Sequence, residues 1–523
     1  LLNLIQTAEG GDGGSSEQGN PGQAGTATSR LDRSASQEAI LSLETIAIGG
    51  DGGGSANQSF NSQSGGVAFA ESDGSSSVGD VYTHATATGG TGGAGLSSAN
   101  GGDGASSQAF ATSFANSSTL HQTTSARADA TGGAGGAVDT STGGTTFARA
   151  GRGGNADVNA SAASQTGDVF VSATAVGGKG GNATTEPEDS TFPGSEGGEG
   201  GNAMAEANGI SHGGGLVNVA VDVTGGSGGD GANFGRAGDG WDVDLSNDAH
   251  GQTSGQLIIS QIARGGDAGS AELGDIGEAG NASSRWNSFE QGDVAVFVQA
   301  IGGAGTNGGG TNFNPFDGRG GGRAEAESDV TANGNVDLVV EAIGGRGGDV
   351  LEIDGADGTP FGVFRYGSAG AGGEIDSSTH AMGQSQQNGN VNVRLVGRGG
   401  DGGHTHAVGF GGGGFDAGRG GNVSFSNKAD GFSGTGKLRL EQVAIGGRGG
   451  DFLDADSFSS SFASGGGEAM STLDKSSGNA RSLDVVTEAI GGDAGMTNNR
   501  NPVPRGFGGD AVSYTHLRAH ETY

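Results

Sequence analysis

The sequence predicts an all-β protein built as a β-solenoid, with about twelve rungs of roughly 43 residues and two strands per rung. Three observations carry this expectation. Alternating runs of small apolar and polar residues recur along the whole chain, and each ends in a glycine-rich corner. The inward side of these runs keeps one register from copy to copy, which a disordered chain would not preserve. Finally, 118 glycines among 523 residues, with 5% aromatics and 7 prolines, leave too little bulk for an ordinary globular core, so apolar area must be buried by stacking repeats.

Each repeat opens on a glycine entry leading into a first strand, strand A, whose inward residue is alanine. Gly153-Gly154-Asn155-Ala156-Asp157-Val158-Asn159-Ala160 is one copy and Gly200-Gly201-Asn202-Ala203-Met204-Ala205-Glu206-Ala207 the next. A tight turn such as Asn333-Gly334 follows. Strand B then alternates larger apolar residues. Over 167–178, Val169, Val171, Ala173 and Ala175 fall on one face and Asp168, Phe170, Ser172 and Thr174 on the other, the period of a strand. The register returns as Val294, Val296, Val298, Ala300, as Val336, Leu338, Val340, Ala342, and as Leu483, Val485, Thr487, Ala489. Two residues before most corners stands an alanine, from Ala47 to Ala489, with Val223 and Leu395 as departures, so something packs closely there. The corners, from Gly10 to Gly491 and including one at Gly397, mostly read Gly-Gly-x-Gly-Gly. Glycine is expected at them because it takes positive φ freely and lets backbones approach. Inserts follow the corners, notably 313–317, 350–369, 404–417 and 452–463, and hold Phe313, Phe316, Phe361, Phe364, Phe410, Phe415, Phe452, Phe458 and Phe462. They suit either a docking face for a second chain or small satellite cores over the sheet.

In the expected stack, strand A pairs with strand A of the next rung and strand B with strand B, about 4.8 Å apart, giving a rod roughly 55 Å long. A column of alternating charge, Arg152, Glu199, Arg236, Glu278 and Arg319, would then form an inter-rung ladder, each exposed pair contributing at most about 1 kcal/mol. Solvated turn residues alternating by chance would read the same way. At the other corner Arg346, Arg398 and Arg448 repeat one sign, each with an acid three residues on, Asp349, Asp401 and Asp451.

Composition narrows the function. There are no cysteines, hence no disulfide framework and no thiolate metal site. No run of 18 apolar residues is present. The formal net charge of −34 argues against nucleic acid and fits a self-repelling surface that takes up divalent cations. His404 and His406 share one face of an extended segment without a nearby third ligand. No nucleophile elbow, HExxH helix or phosphate loop stands in its proper context, which points to a non-enzymatic protein. Glycosylation sequons occur at Asn57, Asn116, Asn159, Asn182, Asn281 and Asn422.

The chain reads as a fragment, 1–511, of a longer repeat array, since Leu1 already stands inside a strand B pattern. Residues 512–523 break the pattern; from Val512 to Thr522 they resemble a translated sequencing adapter, which marks them as a non-native tail. The stretches Gly344-Gly345-Arg346-Gly347-Gly348-Asp349 and Gly446-Gly447-Arg448-Gly449-Gly450-Asp451 resemble the calcium-binding nonapeptide of RTX β-rolls, which implies Ca²⁺ ligands at Asp349, Asp451 and Asp401, although a glycine turn capped by Asp fits the same residues. The array as a whole resembles the glycine-rich repeats of large secreted bacterial surface proteins of the haemagglutinin and adhesin type. That resemblance implies an extracellular or cell-surface fibre or stalk, with itself as principal partner and cell-surface polysaccharide as a further one. The rival expectations are a ligand-binding solenoid for polysaccharide or ice and a β-helical polysaccharide-degrading enzyme.

Overall fold

The computed structural model describes residues 1–523 apart from 38, 141–146, 185–193, 233–234, 272–273, 309–316, 352–366, 408–414, 455–462, 477–479, 498–505 and 519–523. Among the described residues the regular elements are all strands, and neighbouring strands run parallel. Strand B of each repeat pairs with strand B of the next, forming one twelve-stranded sheet that runs from Leu2–Glu9 and Ile40–Ile48 to Lys437–Ile445 and Ser482–Ile490. Register is kept throughout: Ala8, Ala47 and Ala87 align, as do Ala300 and Ala342. Strand A makes a second layer divided into sheets of six, five and three strands, and no sheet closes on itself.

The inward faces of the two layers meet in a large apolar cluster reaching from Ala27 to Leu473 and, at the first rungs, in a second one of Ala35, Leu41, Leu43 and Val81. Strand A contributes Ala156, Ala160 and Ala162, strand B Val169, Val171, Ala173 and Ala175, all buried as their alternation requires. In the outermost strand Ser482–Ile490, Leu483, Val485 and Ala489 are only partly buried.

The glycine stretches are not corners. They continue each strand with hydrogen bonds that repeat every third residue, the period of a polyproline II chain. Gly49, Gly52 and Ser55 donate to Thr88, Thr91 and Ala94 of the next repeat, whereas Gly50 and Gly53 donate to Gly25 and Gly22 in the other layer. The returning segment copies this: Ser62 and Gly65 donate to Asn100 and Asp103, and Gln63 and Gly66 to Gly53 and Gly50. Each repeat is therefore a long hairpin, with strand B and an outgoing glycine segment in one layer and a returning glycine segment and strand A in the other. Glycine is required by close approach. A Cβ at Gly133 would lie 1.9 Å from the carbonyl oxygen of Gly90, and one at Gly132 1.9 Å from that of Gly154. Positive φ plays almost no part: among the described glycines only Gly214 has it, at 79°.

Two sequence expectations change in register. Ala342 pairs with Gly397 and Ile343 with Arg398, so this glycine segment begins at Gly399, and Leu395 is an ordinary inward residue opposite Val340. Gly397 stands in the alanine column because a Cβ there would lie 2.5 Å from the Phe425 ring. Strand A is also broken twice. Val243–Ser246 pairs forward with Ala282–Glu290 while Ala249–Gln252 pairs back with Ala203–Ser211, and Val423–Ser426 and Ala429–Ser433 divide in the same way. The breaks fall at Asn247 and Asn427, both with positive φ, a conformation asparagine tolerates. Ala511 and the residues after it to Arg518 form one strand, Ala511–Arg518, which pairs with Ala469–Ser476.

Candidate functional site

The three-residue period leaves every third N–H of a glycine segment pointing outward, away from both layers. At many of these positions an Asp or Asn of the preceding repeat supplies the acceptor. Asp51 N–H donates to Asp12 Oδ1 at 2.8 Å, Arg152 N–H to Asp103 Oδ1 at 2.9 Å, and Glu278 N–H to Asp239 Oδ1 at 2.9 Å. An interrupted side-chain ladder thus runs along the outside of the glycine bundle, broken where the preceding residue is one such as Ala134, Lys179 or Arg346.

The residues read as calcium ligands belong to this ladder. Asp349 accepts the His404 N–H at 2.6 Å and the Arg346 guanidinium at 2.6 Å. Asp401 accepts the Arg448 N–H at 2.8 Å, and Asp451 accepts the Met496 N–H at 2.7 Å and the Arg448 guanidinium at 2.6 Å. Among the described residues no three or more His, Cys, Asp or Glu side chains converge as a metal site would require. His404 accepts the Asp451 N–H at Nδ1, 2.9 Å away; the His406 side chain lies outside the described residues.

Three sequon asparagines do the same work. Asn182, Asn281 and Asn422 accept the N–H groups of Asp230, Arg323 and Glu468 at 3.1, 2.9 and 2.8 Å. Asn159 projects from strand A and donates to Glu206 at 3.3 Å, Asn57 accepts the Ser59 N–H at 2.9 Å, and Asn116 is exposed.

Of the charge column, one contact forms: Arg152 and Glu199 lie 3.2 Å apart. Gly200 N–H donates to the Asp239 carbonyl and Gly197 N–H to that of Arg236, so Arg236 sits three residues earlier, opposite Glu196, and pairs with its own Asp239. Glu278 is likewise opposite Asp239, as Gly240 N–H donates to the Glu278 carbonyl, and Arg319 N–H turns to Thr306 in the other layer. The column is not a ladder, because the returning segments shift by one three-residue turn relative to a simple count. Arg346 and Arg448 do pair with Asp349 and Asp451 at 2.6 Å, but Arg398 pairs with Glu341 at 3.5 Å and not with Asp401. Phe452 is buried against Ala463. Phe313, Phe316, Phe361, Phe364, Phe410, Phe458 and Phe462, and the Phe415 side chain, lie outside the described residues.

Sequence reasoning missed the two breaks in strand A. Each leaves a window in the sheet, and a buried glutamine of strand B fills its inner side. Gln261 Oε1 accepts the N–H groups of Asp248 and Ala249 at 2.9 and 3.3 Å, and its Nε2 donates to the Arg285 carbonyl at 3.0 Å. Gln442 repeats this with Lys428, Ala429 and the Thr472 carbonyl at 2.9, 3.0 and 3.2 Å. The signal was in the sequence: Val243-Asp244-Leu245-Ser246-Asn247-Asp248-Ala249-His250-Gly251 and Val423-Ser424-Phe425-Ser426-Asn427-Lys428-Ala429-Asp430-Gly431 share one pattern, each followed by a glutamine four residues before a glycine pair.

The first window opens outward as a cleft of about 480 Å³ whose walls include Glu206, His250, Asn287, Ser288 and Glu290 over a floor containing Gly251 and Trp286. Trp286 is buried and donates from Nε1 to the Ala249 carbonyl at 2.7 Å. Burial raises the Glu290 carboxyl above its ordinary pKa despite a hydrogen bond from Ser288. Asp248 is raised as well, by burial and then by Glu206 and Asp244, against the N–H of Ser246 and the charge of His250. No family model, no curated protein and no solved structure matches this chain.

Proposed function

We propose that the chain is a non-enzymatic structural protein, a β-solenoid whose repeats stack into a rod that self-assembles as an extracellular fibre, stalk or adhesin filament. The observation that supports it most is the twelve-stranded sheet itself, in which each strand pairs in register with the strand one repeat away. Such a sheet has a free edge only at its outermost strands, Leu2–Glu9 and Ser482–Ile490, and either edge is extended by pairing with a further repeat, of the same chain or of another copy. The outward Asp and Asn side chains support the same reading, because at several rungs an acceptor reaches forward to the next repeat. Extracellular placement and polysaccharide as a secondary partner rest on the resemblance to secreted surface repeats.

The test is X-ray diffraction from concentrated, aligned protein with electron microscopy of the same sample, with and without chelator. Filaments with an axial reflection near ~4.8 Å that persist in chelator are expected. Dispersed monomers at every concentration would sink the assembly reading, and collapse on chelation would replace it with a calcium-dependent roll.

A further inference from the structure

The two windows are one device built twice, and the second is occupied. Val243 aligns with Ala282 across the first break and Val423 with Ala469 across the second, so Ser288 and Lys475 hold equivalent positions, as do His250 and Asp430. In the second window Lys475 reaches across the gap, and its ammonium pairs with Asp430. In the first window neither partner is present. Ser288 and His250 stand there instead, and they line the cleft of about 480 Å³.

The walls of this cleft carry the charge that an ammonium would meet. Glu290 is only 7% exposed, and the hydrogen bond it accepts comes from the Ser288 hydroxyl. A carboxylate so far removed from water is poorly solvated by one neutral donor. Glu206 stands on the neighbouring strand, 3.9 Å from His250, and Asp248 lies at the break. Asn287 and Asn208 also line the cleft, and the Asn287 Oδ1 accepts the Asp329 N–H at 2.7 Å.

We propose that the first window is a binding site for a primary ammonium group, the head of a lysine side chain on a partner, which takes the place that Lys475 fills in the second window. The stem of the lysine enters beside Ser288, and Glu290 and Glu206 receive the charge. This inference is independent of whether the rods form fibres.

The experiment is calorimetric titration of the full chain with Nα-acetyl-lysine N-methylamide, with the norleucine analogue as the uncharged control. Saturable binding of the lysine probe, none of the norleucine probe, and a loss of about tenfold or more in Glu290→Gln are expected. Ser288→Lys, which rebuilds the second window in the first, should abolish binding and raise the thermal midpoint. It changes the net charge by only one, so a general attraction of the acidic surface for the probe would survive it. Binding that persists in Ser288→Lys, equal binding of norleucine, or no saturable binding by the unmodified chain would each overturn the proposal. Should Glu290→Gln fail to fold, Ser288→Lys alone decides.

Discussion

A methyl group at Gly133 has nowhere to go, because the Gly90 carbonyl oxygen, 1.9 Å from its position, and the Ala105 nitrogen at 2.9 Å belong to backbones already tied to their neighbours by hydrogen bonds. The next residue, Ala134, faces outward and carries a side chain freely. Gly133→Ala should therefore destabilise the protein by about 1–3 kcal/mol or more, and Ala134→Ser by less than about 0.5 kcal/mol. Denaturant midpoints of the two variants check this, and equal midpoints would show that close approach is not what selects glycine. The same logic explains what was legible residue by residue. Glycine doublets and the alanine column were plain in the sequence. Of the two causes expected for the glycines, close approach holds and positive φ does not, a distinction the sequence cannot make because both select the same residue. The third residue of each triplet passed as a variable position, although its frequent Asp or Asn is set by the outward N–H of the next repeat.

At the scale of the element, strands A and B were readable because a period of two places Val and Ala on one side, and both layers confirm that side. The glycine segments were not readable as elements, because a three-residue period carried by backbone hydrogen bonds leaves no hydrophobic pattern. Gly397 shows a second limit. It stands two residues before the true doublet, Gly399 and Gly400, and makes the sequence read as though the glycine segment started early; only the position of Phe425, far along the chain, explains why a glycine belongs to the strand there. The split strands make a sharper prediction. In Gln261→Leu or Gln442→Leu the N–H groups at the break lose their acceptor in a buried setting, at a cost of about 1–3 kcal/mol for each group left unpaired. Hydrogen exchange should show faster opening at Asp248 and Ala249 in the first variant and at Lys428 and Ala429 in the second. Unchanged protection would mean that the glutamines are not what holds the breaks together.

For the whole molecule, a net charge of −34 makes stability depend on pH in a direction that particular carboxylates fix. Asp73 is raised by burial and by Asp32 and Glu71, and Asp248 and Glu290 are raised chiefly by burial. Groups raised in the folded state contribute stability that is full below their unfolded value, near ~4, and is lost as pH rises through the folded one. Asp129 is the opposite case: burial works against its charge, but hydrogen bonds from His84 and Arg127 outweigh burial and hold it low. Its contribution is present above ~4 and disappears as pH falls through its folded value. The thermal midpoint should therefore rise from pH 7 toward about pH 4.5 and fall again below about pH 3.5. A midpoint that declines steadily from neutral pH would contradict this.

The glycine bundle also sets the form of the rod in cross-section. Where strands A and B face each other, Ala, Val and Leu side chains hold the layers apart by up to about 10 Å, the usual spacing of packed sheets. Where the glycine segments face each other, direct N–H···O bonds of 2.7 to 3.0 Å, from Gly50 to Gly25 and from Gly66 to Gly50, draw backbone onto backbone. The two layers must converge, so each repeat is a wedge, and a stack of wedges is a blade with a thick back and a thin edge. In sequence, the variable inserts fall between the outgoing and returning glycine segments. A partner meeting such a blade can tell its two margins apart by thickness alone.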